Sequence, residues 1–396
     1  MEFFTAVFRP FALFESFWTV PNEDEGAIRG SRAYVCQCRR PVFFRNSECL
    51  VCHTPLGFVT SISRVEPLAP VADQPDLWTL WNAPKGPSYR RCANLHAIGC
   101  NWLLPGPAEE GAVCLSCSLN RTVSDPAVPE NLTAWRALEI AKRHLIAQLM
   151  VMGLPVEPRP PYQPDQLGLA FDFLRPEPHK PVLTGHDHGL ITLNMDEADD
   201  ARREQVRTQL GESYRTLLGH FRHEVGHYYW DRLVVNTPWL EDYRDLFGDE
   251  RADYAEALKH HYEDGPPADW ALRYVSTYAS THPWEDWAET WAHYLHMVDT
   301  LGTAMRFGLD AQDVELPHAP FTRVSLWRPD DPSAEGFLKI ANAWVELTGV
   351  LNEMSRSMGE HDFYPFVLTT PVVAKLHFIH CVVLEARSAL YSPLAA

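Results

Sequence analysis

Nine cysteines are the feature that most constrains the fold of this 396-residue chain. Eight of them lie within residues 36–117, mostly as closely spaced pairs, and the ninth stands alone in an apolar run near the C-terminus. A CxxC turn brings two sulfurs to one tetrahedral metal ion, and a second pair completes a closed site with four ligands. A disulfide framework requires an even count, a small domain and an oxidising compartment. The spacing therefore predicts two structural zinc sites.

The cysteines are predicted to pair locally, so that the first four bind one zinc ion and the next four bind another. An interleaved pairing is also compatible with the spacing, and the first pair is tighter than a usual CxxC knuckle. Cys381 is predicted to be a small buried apolar side chain. The first site consists of Cys36, Cys38, Cys49 and Cys52, and the second consists of Cys92, Cys100, Cys114 and Cys117.

The cysteine-rich module is too short to bury a large apolar core, so bound metal is expected to stabilise its fold. Arginines flank the cysteines, and recruitment of a protein partner is the alternative role. Residues 1–125 hold 11 basic and 12 acidic side chains, so this region is nearly neutral, and its few interleaved aromatics disfavour nucleic-acid binding. The flanking residues are Arg39, Arg40, Arg45, Arg90 and Arg91.

The chain as a whole is acidic, with a formal net charge of -18. This charge argues against a general nucleic-acid binder, because phosphates are held by Lys and Arg. The first twenty residues are rich in Phe, but Arg9, Pro10 and Glu15 interrupt the apolar run expected of a signal peptide. The apolar stretch 365–384 contains Lys375 and two histidines, which predicts a buried helix and not a membrane span. The expected location is the cytoplasm.

The pattern along the chain predicts an α+β fold in three parts. Residues 1–34 form an N-terminal extension, residues 35–125 form the double zinc-ribbon module, and residues 126–396 form a mainly helical domain with a small sheet. Apolar residues recur with a period of 3.6 in the helical segments. Strands are predicted over 168–174 and 189–194. Helices are predicted over 131–152, 201–235, 240–247, 249–262, 268–278, 284–298, 336–355 and 372–390.

One predicted helix carries the motif His223-Glu224-Val225-Gly226-His227. Residues four apart project from the same face of a helix, so both histidines can bind one zinc ion. Glu224 lies beside them, where it can deprotonate a water molecule that the metal activates. Gly226 is small enough to let another segment approach closely. Because a chain with 18 histidines can contain such a motif by chance, the assignment depends on a third ligand.

Two downstream carboxylates are candidates for the third ligand, Glu250 and Glu285. Glu285 is the better candidate, because Glu289 follows it by one helical turn and can bind a ligand histidine from behind. Glu250 has Asp253 nearby but no carboxylate four residues on. We therefore predict His223, His227 and Glu285 as ligands of a catalytic zinc ion, with Glu289 as the supporting carboxylate.

This pair of elements, His223–His227 followed by Glu285-Asp-Trp-Ala-Glu289, resembles the gluzincin pattern. The closest local likeness is to lethal-factor-type peptidases, in which a Tyr seven residues before the ligand Glu stabilises the transition state. Tyr278 occupies the matching position, so the resemblance implies an electrophilic role for its hydroxyl. Glu289 stands where thermolysin-like enzymes commonly have Asp.

Over residues 35–396 the chain resembles bacterial zinc-binding metallopeptidases that have an N-terminal zinc-ribbon region. The resemblance runs through Cys114-Leu-Ser-Cys117, the segment from His223 to Asp231, Phe247-Gly-Asp-Glu250 and the segment from His282 to Glu289. It implies a zincin-like, gluzincin-type domain and an activity class, without a named substrate.

The predicted function is hydrolysis of peptide bonds in a peptide or protein by a zinc-activated water, with Glu224 as general base. A catalytically silent scaffold that binds a partner through its zinc ribbons, and a zinc hydrolase of non-peptide amides, are the alternatives. The predicted cofactors are one catalytic and two structural zinc ions, with no membrane partner. By analogy with zincins, the strand over 189–194 is predicted to be an edge on which substrate lies.

Overall fold

The computed structural model describes residues 33–160, 166–210, 215–309, 314 and 316–391. The chain divides into two compact units. The first unit consists of the described residues 33–158, 170–183 and 192–198. The second unit contains the described residues of 159–169, 184–191 and 199–391. The predicted extension over residues 1–34 lies almost entirely outside the described residues.

The cysteine-rich part of the first unit is built from short antiparallel strands. Strands β1 (Ala33–Val35) and β2 (Pro41–Phe43) form one pair. A five-stranded sheet follows in the order β3 (Leu56–Val59), β4 (Arg64–Val71), β5 (Gln74–Leu80), β6 (Tyr89–Arg91), β7 (Leu103–Pro105). Helices α1 (Leu95–Ile98) and α2 (Leu115–Ser118) are single turns. Val59, Leu68 and Leu103 form one small buried apolar cluster of this sheet.

The rest of the first unit is a long helix and further strands. Helix α3 (Pro129–Val151) agrees with the predicted helix over 131–152, and its apolar stripe through Leu138, Leu145 and Leu149 is fully buried. Strands β8 (Asn120–Val123) and β9 (Ala170–Leu174) pair in parallel. Strand β10 (Gly185–Asp187) belongs to the second unit, and β11 (Leu190–Asn194) has its last three residues in the first.

The second unit is mainly helical. Its core is aromatic, since Trp287 and Trp291 are fully buried and the ring of Trp291 stacks on Tyr229 with centroids 4.9 Å apart. This stacking packs the helix that contains the HExxH motif against the helix that contains Glu285. The helices are α4 (Asp200–Leu210), α5 (Leu217–Leu233), α6 (Trp239–Phe247), α7 (Tyr254–Asp264), α8 (Trp270–Arg273), α9 (Pro283–Arg306), α10 (Ala334–Ser357) and α11 (Thr370–Tyr391).

Three predicted helical segments differ from the structure, two of them at a side-chain cap and one at an extended residue. The long helical region predicted over 201–235 contains two helices, α4 and α5, since Thr216 is extended and its hydroxyl accepts from Gly219 N to begin α5. The helix over 249–262 begins only after Asp253, whose carboxylate accepts from Glu256 N. The helix over 268–278 shrinks to α8, because the chain becomes extended at Tyr274.

The predicted substrate-binding edge over 189–194 is also wrong. Strand β11 has a neighbouring strand on each side, so its main chain does not form an edge of the sheet. No helix among the described residues is long and apolar enough to cross a bilayer. The predicted fold class is confirmed: strand-rich structure around the cysteines is followed by a mainly helical region.

Candidate functional site

Three buried side chains of the second unit bring their ligand atoms together. The Nε2 atoms of His223 and His227 lie 3.0 and 3.5 Å from Oε2 of Glu285, and the three ligand atoms all lie within 4.8 Å of one another. The two histidines are one turn apart on α5, and Glu285 is in the first turn of α9. These are the three residues that the sequence predicts as metal ligands.

The close approach of α5 and α9 depends on the glycine of the motif. A Cβ atom built on Gly226 would lie 3.0 Å from Cα of Ala288, so any larger residue would push the two helices apart. The indole Nε1 of Trp287 donates to the carbonyl of Gly226 at 2.8 Å. As the sequence predicts, the small residue lets the segment that carries Glu285 and Glu289 reach the histidines.

Two of the three ligand residues, His223 and Glu285, are oriented by a hydrogen bond to the side-chain atom that does not face the other ligands. Nδ1 of His223 donates to Oε1 of Glu289 at 2.7 Å, so its Nε2 is left to face the other ligands. The second oxygen of Glu289 accepts from the hydroxyl of Ser276 at 2.6 Å. Tyr254 donates to Oε1 of Glu285 at 2.7 Å, which turns Oε2 toward the histidines. The predicted supporting position of Glu289 is therefore present in the geometry.

These contacts also shift pKa values. Burial by itself raises the pKa of Glu289, but the hydrogen bond with His223 and the charge of its ring lower it to about 2. Burial lowers the pKa of His223, whereas hydrogen bonds to Glu285 and Glu289 raise it well above its ordinary value. Both shifts follow from packing an imidazole between two carboxylates.

The donor set fits a zinc ion. Oε2 of Glu285 is buried and lies against Nε2 of both histidines, so that three ligand atoms converge on one point, and a cation bound there would offset the cost of burying the carboxylate. Neighbouring nitrogen and oxygen ligands of tetrahedral zinc are about 3.4 Å apart, given ligand bonds of about 2.0–2.2 Å. The observed separations of 3.0 and 3.5 Å lie on either side of that value.

Two further predicted residues lie beside this group. Glu224 is buried next to His223 on α5, and Nε2 of His220 lies 3.6 Å from its Oε1. The ring centroid of Tyr278 is 5.9 Å from that of His223. Burial, followed by the charge of Glu285, raises the pKa of Tyr278 far above its ordinary value, so the hydroxyl keeps its proton and can donate a hydrogen bond.

The other candidates have structural partners. Glu250 forms a two-pronged ion pair with Arg244, at 3.0 and 2.6 Å, and is not part of the ligand group. His282 caps α9 by accepting from the backbone N of Trp284 at 3.1 Å. Nε2 of the buried His186 accepts from Gly189 N, and its ring lies against that of His227 with centroids 5.9 Å apart.

The first four cysteines form one cluster in the first unit. The Sγ atoms of Cys36 and Cys52 are 3.6 Å apart, and those of Cys38 and Cys49 are 3.7 Å apart. Adjacent sulfurs of a tetrahedral zinc site are about 3.8 Å apart, given a Zn–S bond of about 2.3 Å. A hydrogen bond with the Thr54 hydroxyl lowers the pKa of Cys52 to about 6, which favours the thiolate that binds metal.

Both pairs in this cluster turn in the same way. The residue after each second cysteine, Arg39 or His53, has a positive φ of 62° or 56°. In each turn its N–H donates to the carbonyl of the first cysteine, at 2.8 Å from Arg39 and 2.9 Å from His53. The shorter Cys36-x-Cys38 pair therefore makes a tighter version of the same knuckle.

The next four cysteines form a second, fully buried cluster. Sγ of Cys100 lies 3.6 Å from that of Cys114 and 3.7 Å from that of Cys117, and the backbone N of Cys114 donates to Sγ of Cys92. The grouping follows the local pairing, and no described cysteine forms a disulfide. Both clusters offer four sulfurs to one ion and leave no ligand position open.

Sequence profiles of known families match almost the whole described chain. The profile of a family described as "Putative zinc-binding metallo-peptidase" matches residues 131–382, which is more than half of the chain. The chain belongs to this family. In this family member, a second profile, described as a zinc-ribbon domain, matches residues 33–128. The resemblance stated from the sequence is thus confirmed at the level of the family and of its N-terminal region.

This member of the zinc-binding metallo-peptidase family has relatives in mycobacteria. Proteins of Mycobacterium bovis (strain ATCC BAA-935 / AF2122/97) and Mycobacterium tuberculosis (strains CDC 1551 / Oshkosh and ATCC 25618 / H37Rv) are each 44% identical over 349 residues. The alignment covers 88% of this chain and 94% of each relative, and each relative is described as an uncharacterized protein. No solved structure gives a significant match.

Sequence reasoning missed two residues that support the ligand group of this metallo-peptidase family member. Tyr254 is 31 residues before Glu285, and Ser276 is 13 residues before Glu289. Neither spacing corresponds to a helical turn or a known knuckle, so only the tertiary structure brings these hydroxyls to the carboxylates. Trp284 also lines the site, since its ring centroid lies 4.3 Å from that of His227.

Proposed function

We propose that this chain is a gluzincin-type zinc peptidase that cleaves peptides or proteins at the site on α5 and α9. His223, His227 and Glu285 would hold the catalytic zinc ion through Nε2, Nε2 and Oε2. Glu289 would position His223. The family supports metallopeptidase activity as a class, and the assignment of these residues is our own.

Zinc, when bound, supplies a Lewis acid that lowers the pKa of a water ligand to about 7. The chain's own groups carry the remaining steps. Glu224 takes the proton from the attacking water and later passes it to the leaving amine, which balances the proton over the cycle. Tyr278 donates a hydrogen bond to the oxyanion that develops on the cleaved carbonyl. Its raised pKa supports this role, because only a protonated phenol can donate.

One observation carries this proposal. A buried carboxylate oxygen lies against two histidine nitrogens from residues one helical turn apart, and the motif glutamate stands next to the first histidine. A metal ion bound between these three atoms would offset the cost of burying the charge of Glu285, and this convergence of ligand atoms beside Glu224 favours the peptidase over the silent scaffold.

The test compares the purified wild-type chain with Glu224→Gln on a cellular protein extract, followed by mapping of new peptide termini. We expect new termini with the wild type and a loss of about 10²–10⁴-fold in their rate of formation with Glu224→Gln. Glu250→Gln is the matched control, since Glu250 pairs with Arg244 outside the ligand group. Identical termini from the wild type and Glu224→Gln would favour the silent scaffold.

We also propose two structural zinc ions, one in each cysteine cluster, in addition to the catalytic ion. The metal count tests this separately from activity: His223→Ala should lower the zinc content by one ion per chain. We propose a cytoplasmic location, because cysteines that cluster without forming disulfides suit a reducing compartment. For the domain boundaries we propose 35–125 and 126–396, which the two profile matches support.

A further inference from the structure

A third kind of ligand cluster lies in the second unit, away from the HExxH motif in sequence. It consists of three side chains, each with one ligand atom within 4.8 Å of the ligand atoms of the other two: Asp331, His377 and Cys381. His377 and Cys381 are one turn apart on α11 and are 0% and 6% exposed. Asp331 precedes α10 and is half-buried. Sequence analysis predicts Cys381 only as an apolar filler, yet its sulfur faces polar atoms.

The carboxylate of Asp331 is held in place by its own turn. One oxygen accepts from the backbone N of Ser333 at 2.8 Å and from its hydroxyl at 2.5 Å. These bonds occupy Oδ1 and fix the direction of the carboxyl group. Hydrogen bonds of this kind, made by the part of a side chain that does not bind the metal, orient metal ligands in proteins.

The contact between His377 and Cys381 has the length expected across one edge of a zinc tetrahedron. Nε2 and Sγ are 3.6 Å apart. Zinc bonds of about 2.05 Å to nitrogen and about 2.3 Å to sulfur give a separation of about 3.6 Å at the tetrahedral angle. A thiol–imidazole hydrogen bond has a similar length, but it does not explain why a carboxylate lies against the same pair.

A nucleophilic Cys-His-Asp triad does not fit these groups. In a triad the carboxylate binds Nδ1 of the histidine. Nδ1 of His377 is buried and has no hydrogen-bond partner among the described residues, so Asp331 does not orient it.

We propose that Asp331, His377 and Cys381 bind a zinc ion that fastens the C-terminal helix α11 to the turn before α10. Zinc in proteins binds sulfur, nitrogen and carboxylate oxygen. These three side chains supply one donor atom of each type, which fills three of the four positions of a tetrahedron. The ion joins segments 46 or more residues apart, so it adds to the stability of the second unit without taking part in hydrolysis.

The test is the zinc content of the folded full-length chain, measured by elemental analysis with zinc as the sole added metal. We expect one ion per chain more than the cysteine clusters and the HExxH site account for. Cys381→Ala should lose that one ion, and the double variant with His223→Ala should lose two. Val382→Ala is the matched control, because it truncates the neighbouring buried side chain on the same helix without removing a donor.

Asp331→Asn covers the case in which Cys381→Ala does not fold. The amide oxygen still accepts from Ser333, so the turn is kept, while the negative charge is lost. We expect zinc affinity at this site, measured by competition with a chelator, to fall at least about tenfold with an unchanged fold. An unchanged zinc count in Cys381→Ala, or an unchanged affinity in Asp331→Asn, would overturn the proposal and leave an ordinary thiol–imidazole hydrogen bond.

Discussion

The cysteine clusters and the HExxH site show two ways of presenting ligands to one metal ion. Each cysteine cluster gathers four identical sulfur donors from short turns, and its ligand set is closed. The HExxH site gathers three donors from two helices and leaves one tetrahedral position without a protein ligand. In the HExxH site the hydroxyls of Tyr254 and Ser276 hold the carboxylates, and in the first cluster the side chains of Gln37 and Thr54 contact the sulfur of Cys52. In our proposal the closed clusters serve folding, whereas the open position of the HExxH site serves chemistry because Glu224 lies beside it.

The cysteine clusters should therefore matter most to the fold. In Cys114→Ala we expect the loss of one zinc ion and of the folding energy linked to it, on the order of 10 kcal/mol. Hydrogen exchange should show lost protection in residues 92–117 and retained protection in α5 and α9. Ser116→Ala is the control, since its buried hydroxyl has no hydrogen-bond partner among the described residues. Retained protection around Cys114 would remove the distinction between the two kinds of site.

Loss of a ligand at the open site should affect metal and activity and spare the aromatic core. Glu285→Ala should weaken zinc binding by more than about 100-fold, the upper range for loss of a merely supporting group. Glu250→Ala should leave zinc affinity unchanged, because Glu250 pairs with Arg244. Chelator competition measures both. A larger effect from Glu250→Ala would reverse our choice of third ligand.

The supporting hydroxyls should have smaller effects that a structural role alone does not explain. Tyr254→Phe removes the donor to Oε1 of Glu285 and should lower zinc affinity about 10–100-fold. Tyr243→Phe is a matched control, since the buried Tyr243 hydroxyl has no hydrogen-bond partner among the described residues. Equal zinc affinity in the two variants would show that Glu285 binds zinc without the hydrogen bond from Tyr254.

The smallest effect concerns a buried histidine of the second unit. Burial lowers the pKa of His293 from 6.5 to about 4. The folded state thus disfavours its protonation, so the related stability is complete above pH 6.5 and is lost as the pH falls toward 4. We expect urea unfolding to show a loss of about 1–3 kcal/mol over this range.

His293→Gln tests this assignment, because the amide can still bond the Tyr364 hydroxyl but does not titrate. The pH dependence should become shallower in this variant. His260→Gln, at a side chain that is 69% exposed, is the control. An unchanged slope in His293→Gln would place the acid sensitivity elsewhere.

Much of the helical framework follows from sequence patterns. The boundaries of α3 and α10 lie within two residues of the predictions, because apolar residues recur regularly along these long helices. The failures at Thr216, Asp253 and Tyr274 come from local caps and extended residues that interrupt an otherwise helical pattern. Such interruptions depend on single side-chain hydrogen bonds, which periodicity does not detect.

By itself, the sequence determined those parts of the sites that depend on short separations along the chain. The geometry of a turn or a helix places three such sets. They are the cysteines two or three residues apart, the histidines four apart on α5 and the carboxylates four apart on α9. Only the tertiary structure decided that Glu285 and not Glu250 faces the histidines, that Tyr254 orients it, and that Asp331 joins His377 and Cys381. These contacts join residues about 30 or more positions apart, and packing of side chains, not backbone geometry, sets such distances.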